Sequence, residues 1–187
     1  LGGGAGGVPG TLFGVFTRMV PQKSYDAMLA SPLEIPDILA GEILWCATKA
    51  AIHGAGILLV AAALGAVADW RALWVLPVLF LAGLTFAATA LIVTARAGSY
   101  ASFSYYTTLV MTPLMLLSGV FFPIGTLPPL LQEIVRWLPL VHAVELVRPL
   151  IAGLPVTNIA LHLAVLVAYG IVGYVVAVRL VRTRLSI

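Results

Sequence analysis

Four stretches of this chain, 43–67, 73–94, 105–122 and 156–178, carry very few charges. Each is near the roughly 17–25 residues that take a helix across about 30 Å of hydrocarbon. They are apolar on every face, whereas the strands of an outer-membrane barrel alternate over about ten residues between turns. The pattern predicts an all-α fold, a polytopic membrane helix bundle. The interval 18–42 is the longest polar one before the first complete span, with Arg18, Lys23, Asp26, Glu34, Asp37 and Glu42. Pro36 and Asp37 look like the start of that span, since proline is tolerated in an opening turn and an acid sits well on the positive end of the helix dipole. The interval 123–155 is cut by Pro123, Pro128, Pro129, Pro139, Pro149 and Pro155. Its pieces 128–138 and 140–148 are too short to cross, and they read as outer interfacial or re-entrant helices. The second sets His142, Glu145 and Arg148 at i, i+3 and i+6, predicted on one face.

Composition agrees with the pattern and narrows the class. Of 187 residues, 61% are hydrophobic and 9% charged, and the mean hydropathy is +1.10. A soluble domain averages about 45–50% apolar and about 25% charged, so a soluble globular enzyme is excluded. The basic residues orient the bundle, because cytoplasmic loops carry the excess of lysine and arginine. With 18–42 inside, Arg18, Lys23, Arg96, Arg179, Arg182 and Arg184 fall on one side and Arg71, Arg136 and Arg148 on the other. A cytoplasmic C-terminus follows. The one cysteine, Cys46, leaves no disulfide framework or paired-cysteine zinc motif. The chain opens on Leu1 within an apolar, glycine-rich run, so a product lacking upstream segments is expected.

Several segments are candidates for chemistry. In 23–42, Ser24 can cap a short helix with Asp26 in its first turn, and Tyr25, Met28 and Leu29 share a face before Pro32 ends it. Such a helix suits docking to a partner, or equally lying on lipid. Glu42, Lys49 and His53 are spaced by seven and four, so they share one helix face. The alternatives are a polar strip toward a wet bundle interior, or side chains that snorkel to nearby headgroups. Cys46 and His53 are two ligands and make no metal site alone. Within 99–112, Ser102, Tyr105 and Tyr106 stand among further serines and threonines. They fit stacking and hydrogen bonding to a sugar-like or polycyclic molecule, or an interfacial tyrosine belt. Pro113 is expected to kink that helix. Ala47, Ala51 and Ala55, and likewise Ala160, Ala164 and Ala168, form small-residue stripes that favour close helix packing. No phosphate-binding loop, HExxH, GxSxG or paired carboxylates occur, and His53, His142 and His162 lie in separate segments. Catalysis within the chain, a bound metal and a nucleic-acid partner are not expected.

The run 117–123, LSGVFFP, followed by Leu127-Pro128 and Leu138-Pro139-Leu140, resembles the outer end of the fifth transmembrane helix in ABC-2 type transporter permeases. The stretch 22–32, QKSYDAMLASP, with Ala40-Gly41-Glu42, is similar to the nodulation-factor exporter branch of that family. LSGVFFP alone marks the superfamily; the two motifs together are more specific, and the likeness runs from Phe16 to the C-terminus. The resemblance implies an ABC-2 (type V) exporter transmembrane domain over 1–187, without its first helix and part of its second. It implies a half-transporter that pairs with a second copy of itself in the inner membrane, among membrane lipids, and with separate ABC ATPase subunits. Those subunits would hold ATP and Mg, leaving no cofactor in this chain. The cytoplasmic coupling segment would fall on 22–36, with Ser24, Tyr25, Asp26, Met28, Leu29, Pro32 and Leu33 meeting the ATPase, and the short outer helices within 123–155. An amphipathic or glycan-containing substrate, such as a lipo-oligosaccharide, polysaccharide or drug-like molecule, would leave the cytoplasm along a path including Glu42, Lys49, His53, Ser102, Tyr105 and Tyr106. The rival reading is a channel or lipid-binding scaffold without ATP coupling, which polar helices and re-entrant elements would serve equally.

Overall fold

A computed structural model of the chain describes residues 35–96, 105, 107–118 and 128–185. Among the described residues the fold is all-helical, without strands. Helix α1, Ile35–Ala63, opens with Pro36 and Asp37 in its first turn. It therefore starts eight residues before the predicted stretch 43–67, because Asp37 and Glu42 are accommodated rather than excluded. It also stops four residues earlier. Gly65 adopts φ 72, its N–H bonds Ala62 O at 3.0 Å, and Ala66 N–H bonds Ala61 O at 2.9 Å. This is a glycine-terminated helix end that satisfies two last-turn carbonyls. A 3-10 turn, Trp70–Trp74, leads into α2, Val75–Arg96.

Helix α3, Thr112–Leu117, follows a π-helical turn, Thr107–Met111. Pro113 has no N–H for the carbonyl four residues back, and the wider turn absorbs that loss. Two short helices come next, α4, Pro129–Val135, and α5, Pro139–Ala152, each with proline in its opening turn. The expected break at Pro149 does not occur: α5 runs through it to Gly153, which has φ 69 and caps the helix on Pro149 O. A proline in a final turn loses one backbone bond and no more, so the helix end tolerates it. Helix α6, Ile159–Leu185, is the last element. Among the described residues, three segments are long and apolar enough to cross a membrane: α1, the continuous stretch Trp70–Arg96, and Ile159–Thr183. The predicted stretch 105–122 is described only in part, where a shorter apolar helix, Thr108–Leu117, stands.

Helix α2 is central and packs on both α1 and α6. Gly83 of α2 faces Ala47 and Ala50 of α1, and a Cβ there would meet Ala47 Cα at 2.9 Å. Gly54 of α1 faces Leu79, whereas Gly170 and Gly173 of α6 face Thr85 and Ala88. Rising numbers on α2 thus match falling numbers on α1 and rising numbers on α6. The first pair is antiparallel and the second parallel. Lipid tails are as apolar as leucine, so helices in a bilayer associate through close contact of small residues rather than by escaping water. The contacts use the stripes read from spacing only at Ala47. On α1 they come from Ala47, Ala50 and Gly54, and Ala160, Ala164 and Ala168 of α6 are exposed while Gly173 and Ala177 are buried. Glycine allows the nearer approach, and the rotation of α6 follows its glycines.

A hydroxyl ties the centre together. Thr85 is fully buried, and its Oγ1 lies 3.0 Å from Leu81 O on its own helix and 2.9 Å from Leu166 O on α6. At one end Ile38, Leu39, Ile43, Leu91, Ala177 and Val181 join α1, α2 and α6, and Tyr174 Oη donates to Pro36 O at 3.0 Å. At the other end Val78, Ala82, Ala143, Leu146 and Leu166 dock α5 against α2 and α6.

Candidate functional site

The contacts fix the depth of each residue across the bundle. Trp70, Trp74 and Trp137 are exposed at the end where α5 docks, and Arg96 is exposed at the far end of α2. Trp74 and Arg96 are each eleven residues from Thr85, so the interval spans about 33 Å of helix rise, close to the hydrocarbon thickness. Thr85 marks mid-depth, and Gly83, one half-turn away, is level with Ala47 and Ala50. Lys49 therefore lies near the middle of the apolar layer. A lysine at such a depth costs roughly 2.5–3.5 kcal/mol on insertion scales, which demands a polar neighbour.

The strip predicted on α1 divides. Glu42 is buried, while Lys49 and His53 are exposed on the surface of this chain. Helix α6 meets α1 at its first turns, where Tyr174, Ala177 and Val181 lie near Pro36, Ile38 and Ile43. Lys49 Nζ stands 5.0 Å from the centroid of Trp45. His53 Nδ1 is 2.7 Å from Lys49 O. A carbonyl only accepts, so Nδ1 carries the proton and Nε2 is left outward. Thr48 satisfies itself on Leu44 O at 2.8 Å.

On α5 the expected shared face also divides, with His142 buried and Glu145 and Arg148 exposed. Two successive steps of three residues sweep about 120° around a helix, and docking of α5 encloses one edge of that arc. His142 Nδ1 lies 2.7 Å from His162 Nδ1 on α6, with ring centroids 5.0 Å apart. Burial lowers the His142 pKa below 6.5, and the nearby His162 charge lowers it further, against the raising influence of a hydrogen bond with the Arg136 backbone and of Glu145. Spacing along the chain gave no sign of this pair, because its members stand twenty residues apart on different helices. Tyr169 Oη adds a second tie, donating to Trp137 O at 2.9 Å.

Among the described residues, no group of three or more His, Cys, Asp or Glu side chains could hold a metal ion. Tyr105 is 66% exposed. Ser102, Tyr106 and the coupling residues Ser24, Tyr25, Asp26, Met28, Leu29, Pro32 and Leu33 lie outside the described residues. Of the LSGVFFP run, only Leu117 and Ser118 are described, and buried Ser118 donates from Oγ to Met115 O at 2.8 Å.

A family model for the ABC-2 type transporter matches residues 7–152, which takes in α1 to α5. This chain belongs to the ABC-2 transporter family. The permease is 45% identical over 176 residues to Nodulation protein J of Rhizobium leguminosarum bv. viciae, covering 94% of this chain and 68% of the relative. It is 43% identical over 175 residues to Nodulation protein J of Rhizobium meliloti (strain 1021), covering 94% and 67%. The protein of that name from Bradyrhizobium diazoefficiens is 35% identical over 175 residues, again covering 94% and 67%. No solved structure matches. The ABC-2 permease is thus a membrane protein and a transport subunit, and of the long apolar helices among the described residues, α1 and the stretch Trp70–Arg96 lie within the matched family domain.

Proposed function

We propose that this chain is the path-forming subunit of an ATP-driven exporter of amphipathic or glycan-containing molecules, acting as a homodimer with a separate ABC ATPase that binds ATP and Mg. Membership of the ABC-2 family carries this reading. The proteins named Nodulation protein J, similar over most of the chain, support the same class. The inner membrane is the expected location, with the start of α1 and the ends of α2 and α6 in the cytoplasm. Arg96, Arg179 and Arg182 gather at that end, as cytoplasmic loops require.

Residues 22–36 serve as the coupling segment. They run directly into α1, a 29-residue helix, and α1 touches α2 at Gly83 through backbone-level contact. A push on 24–33 would therefore move α1 as a rod and carry α2 with it, since packed interfaces shift between discrete arrangements rather than deform smoothly. Tyr25, Met28 and Leu29 provide the apolar contact and Pro32 the fixed exit, with Ser24, Asp26 and Leu33 completing the segment. The outer helices within 123–155, bearing His142, Glu145 and Arg148, close the opposite end. Glu42, Lys49, His53, Ser102, Tyr105 and Tyr106 are assigned to the path.

Recovery of the partner ATPase by affinity capture tests the coupling. The Tyr25→Ala/Leu29→Ala permease should capture less ATPase and transport more slowly, as loss of a hot spot worth more than about 1 kcal/mol would require. Membrane insertion and turnover by the isolated ATPase should be unchanged. Equal recovery with normal transport would remove 22–36 from the ATPase contact, and weakened partition of a 22–36 peptide into vesicles would assign it to lipid.

A further inference from the structure

We propose that His142 and His162 form a proton-operated latch that holds the start of α5 on α6 and releases it when both rings are charged. The inference rests on the reading above that places α5 at the outer end of the bundle, and it names what controls that end. The rings meet Nδ1 to Nδ1 at 2.7 Å, with one nitrogen donating and the other accepting. One added proton keeps this bond, because an imidazolium donates to a neutral ring. A second leaves two donors and two positive charges in contact, with no acceptor between them. The switch therefore belongs to the pair, and it opens toward acid.

The packing of α5 lets one half move while the other stays. Its far end is seated: Ala68 N–H donates to Ile151 O at 3.2 Å, and a Cβ on Gly153 would stand 2.9 Å from the Ala68 side chain. At the start, a hydrogen bond between His142 and the Arg136 backbone joins the end of α4 to α5 as one piece. This piece is tied to α6 through the imidazole pair and through Trp137 O, which accepts from Tyr169 Oη at 2.9 Å. Nine residues, about 13–14 Å of helix rise, separate His142 from Ile151, so a swing about the seated end displaces the latch most. Val141 and Ala143 are buried, yet they lose little when lipid replaces protein around them, since lipid tails are as apolar as leucine. The polar ties thus govern the start of α5.

The charged groups of the surrounding elements leave the pair in control. Glu133 and Arg136 of α4 are exposed and face each other at 3.6 Å, and Glu145 and Arg148 of α5 are exposed as well. The 3-10 turn packed on α5 carries Arg71, and Asp69 before it stands at the Gly153 end. Helix α2 sets Val78 and Ala82 against α5 and has its arginine, Arg96, at the opposite end of the bundle. The basic residues of α6 begin at Arg179, also toward that end. Burial and then the His162 charge hold His142 below 6.5 in the closed arrangement, against the Arg136 backbone bond and Glu145.

Thiol labelling of the permease in phosphatidylcholine nanodiscs tests the latch, without ATPase or substrate and with both membrane faces open to the reagent. In a Cys46→Ala background, the rate at Ala143→Cys, on the buried face of α5, is divided by the rate at exposed Glu133→Cys. The division cancels the ordinary pH dependence of thiol reactivity. The ratio should rise about tenfold or more from pH 7.5 to pH 5. A closed pair that refuses one proton, which a free imidazole takes up near 6.5, shifts the opening equilibrium by up to about thirtyfold at pH 5. The ratio should be flat in His142→Phe, and flat again in His162→Asn, whose neutral amide both donates and accepts. A flat ratio in the parent, or an undiminished rise in either variant, overturns the proposal. So does a fall in helicity by circular dichroism over the same range, which would mean that the chain unfolds rather than unlatches. A flat ratio leaves the exporter reading standing, whereas a working latch in a permease that shows no ATP-driven export sinks that reading alone.

Discussion

Gly83 sets the distance between α1 and α2. A Cβ at this position would lie 2.9 Å from the Ala47 backbone and 3.0 Å from Ala50 Cβ, and a backbone atom cannot turn aside as a long side chain can. Gly83→Leu should therefore destabilise the permease by about 1–3 kcal/mol, the usual range for overpacking. Gly56→Leu, on the same pair of helices but with nothing within 4 Å, should stay within about 0.5 kcal/mol of the parent. Thermal midpoints of the two variants in one detergent check this, and equal midpoints would refute the close approach. Thr85→Val should add a smaller loss, about 0.6 kcal/mol for a typical bond between membrane helices, because Leu166 O loses its side-chain donor. The same midpoint measurement reads it.

At the scale of elements, α5 is held to α6 by a pair of imidazoles that works only while at least one ring is neutral. Between two Nδ1 atoms 2.7 Å apart, one nitrogen donates and the other accepts. Two imidazolium rings have no acceptor and repel. Around His142 stand His162 from α6, the Arg136 backbone at the end of α4 and Glu145 on α5 itself, while α2 contributes the apolar Val78 and Ala82. The His142 pKa lies below 6.5 in the fold, so below that pH the unfolded chain binds more protons than the folded one. The stabilisation is complete above 6.5 and is lost as pH falls through the depressed folded value. The thermal midpoint should drop between about pH 7.5 and about pH 5, and His142→Phe should flatten the drop. An identical drop in the variant would place the titration elsewhere.

For the whole molecule, an antiparallel α1–α2 pair and a parallel α2–α6 pair put Ile35, Arg96 and Arg179 at one end and Trp74, Trp137 and Gly153 at the other. The prediction is a sidedness that two thiols can read. In a Cys46→Ala background, a cysteine replacing exposed Thr183 should react with an impermeant reagent only from the cytoplasm, and one replacing exposed Glu133 only from outside. Labelling of both from one side would break the topology and remove 22–36 from reach of a cytoplasmic ATPase.

Family, helix content and the approximate place of the long spans were all legible along the chain. A membrane helix satisfies its backbone within one segment, so apolar length and proline position nearly suffice to define it. Pro36 and Asp37 marked the start of α1, Pro128 and Pro139 preceded or opened the short helices, and the two motifs pointed to the transporter class. The coupling residues are proposed from resemblance alone and fall outside the described residues. Rotation and register were not legible, because hydropathy is nearly the same on every face of such helices. Gly83, Gly170 and Gly173 decided which faces meet, and Ala160, Ala164 and Ala168, equally plausible by spacing, were left outside. Packing enclosed Glu42 and left Lys49 and His53 open, although all three were read on one face of α1. The docking of α5 brought His142 to His162. The sequence by itself determined helices whose bonds are local; only tertiary structure decided which side chains share a space, since that depends on contacts between segments that close fit, not hydrophobicity, selects.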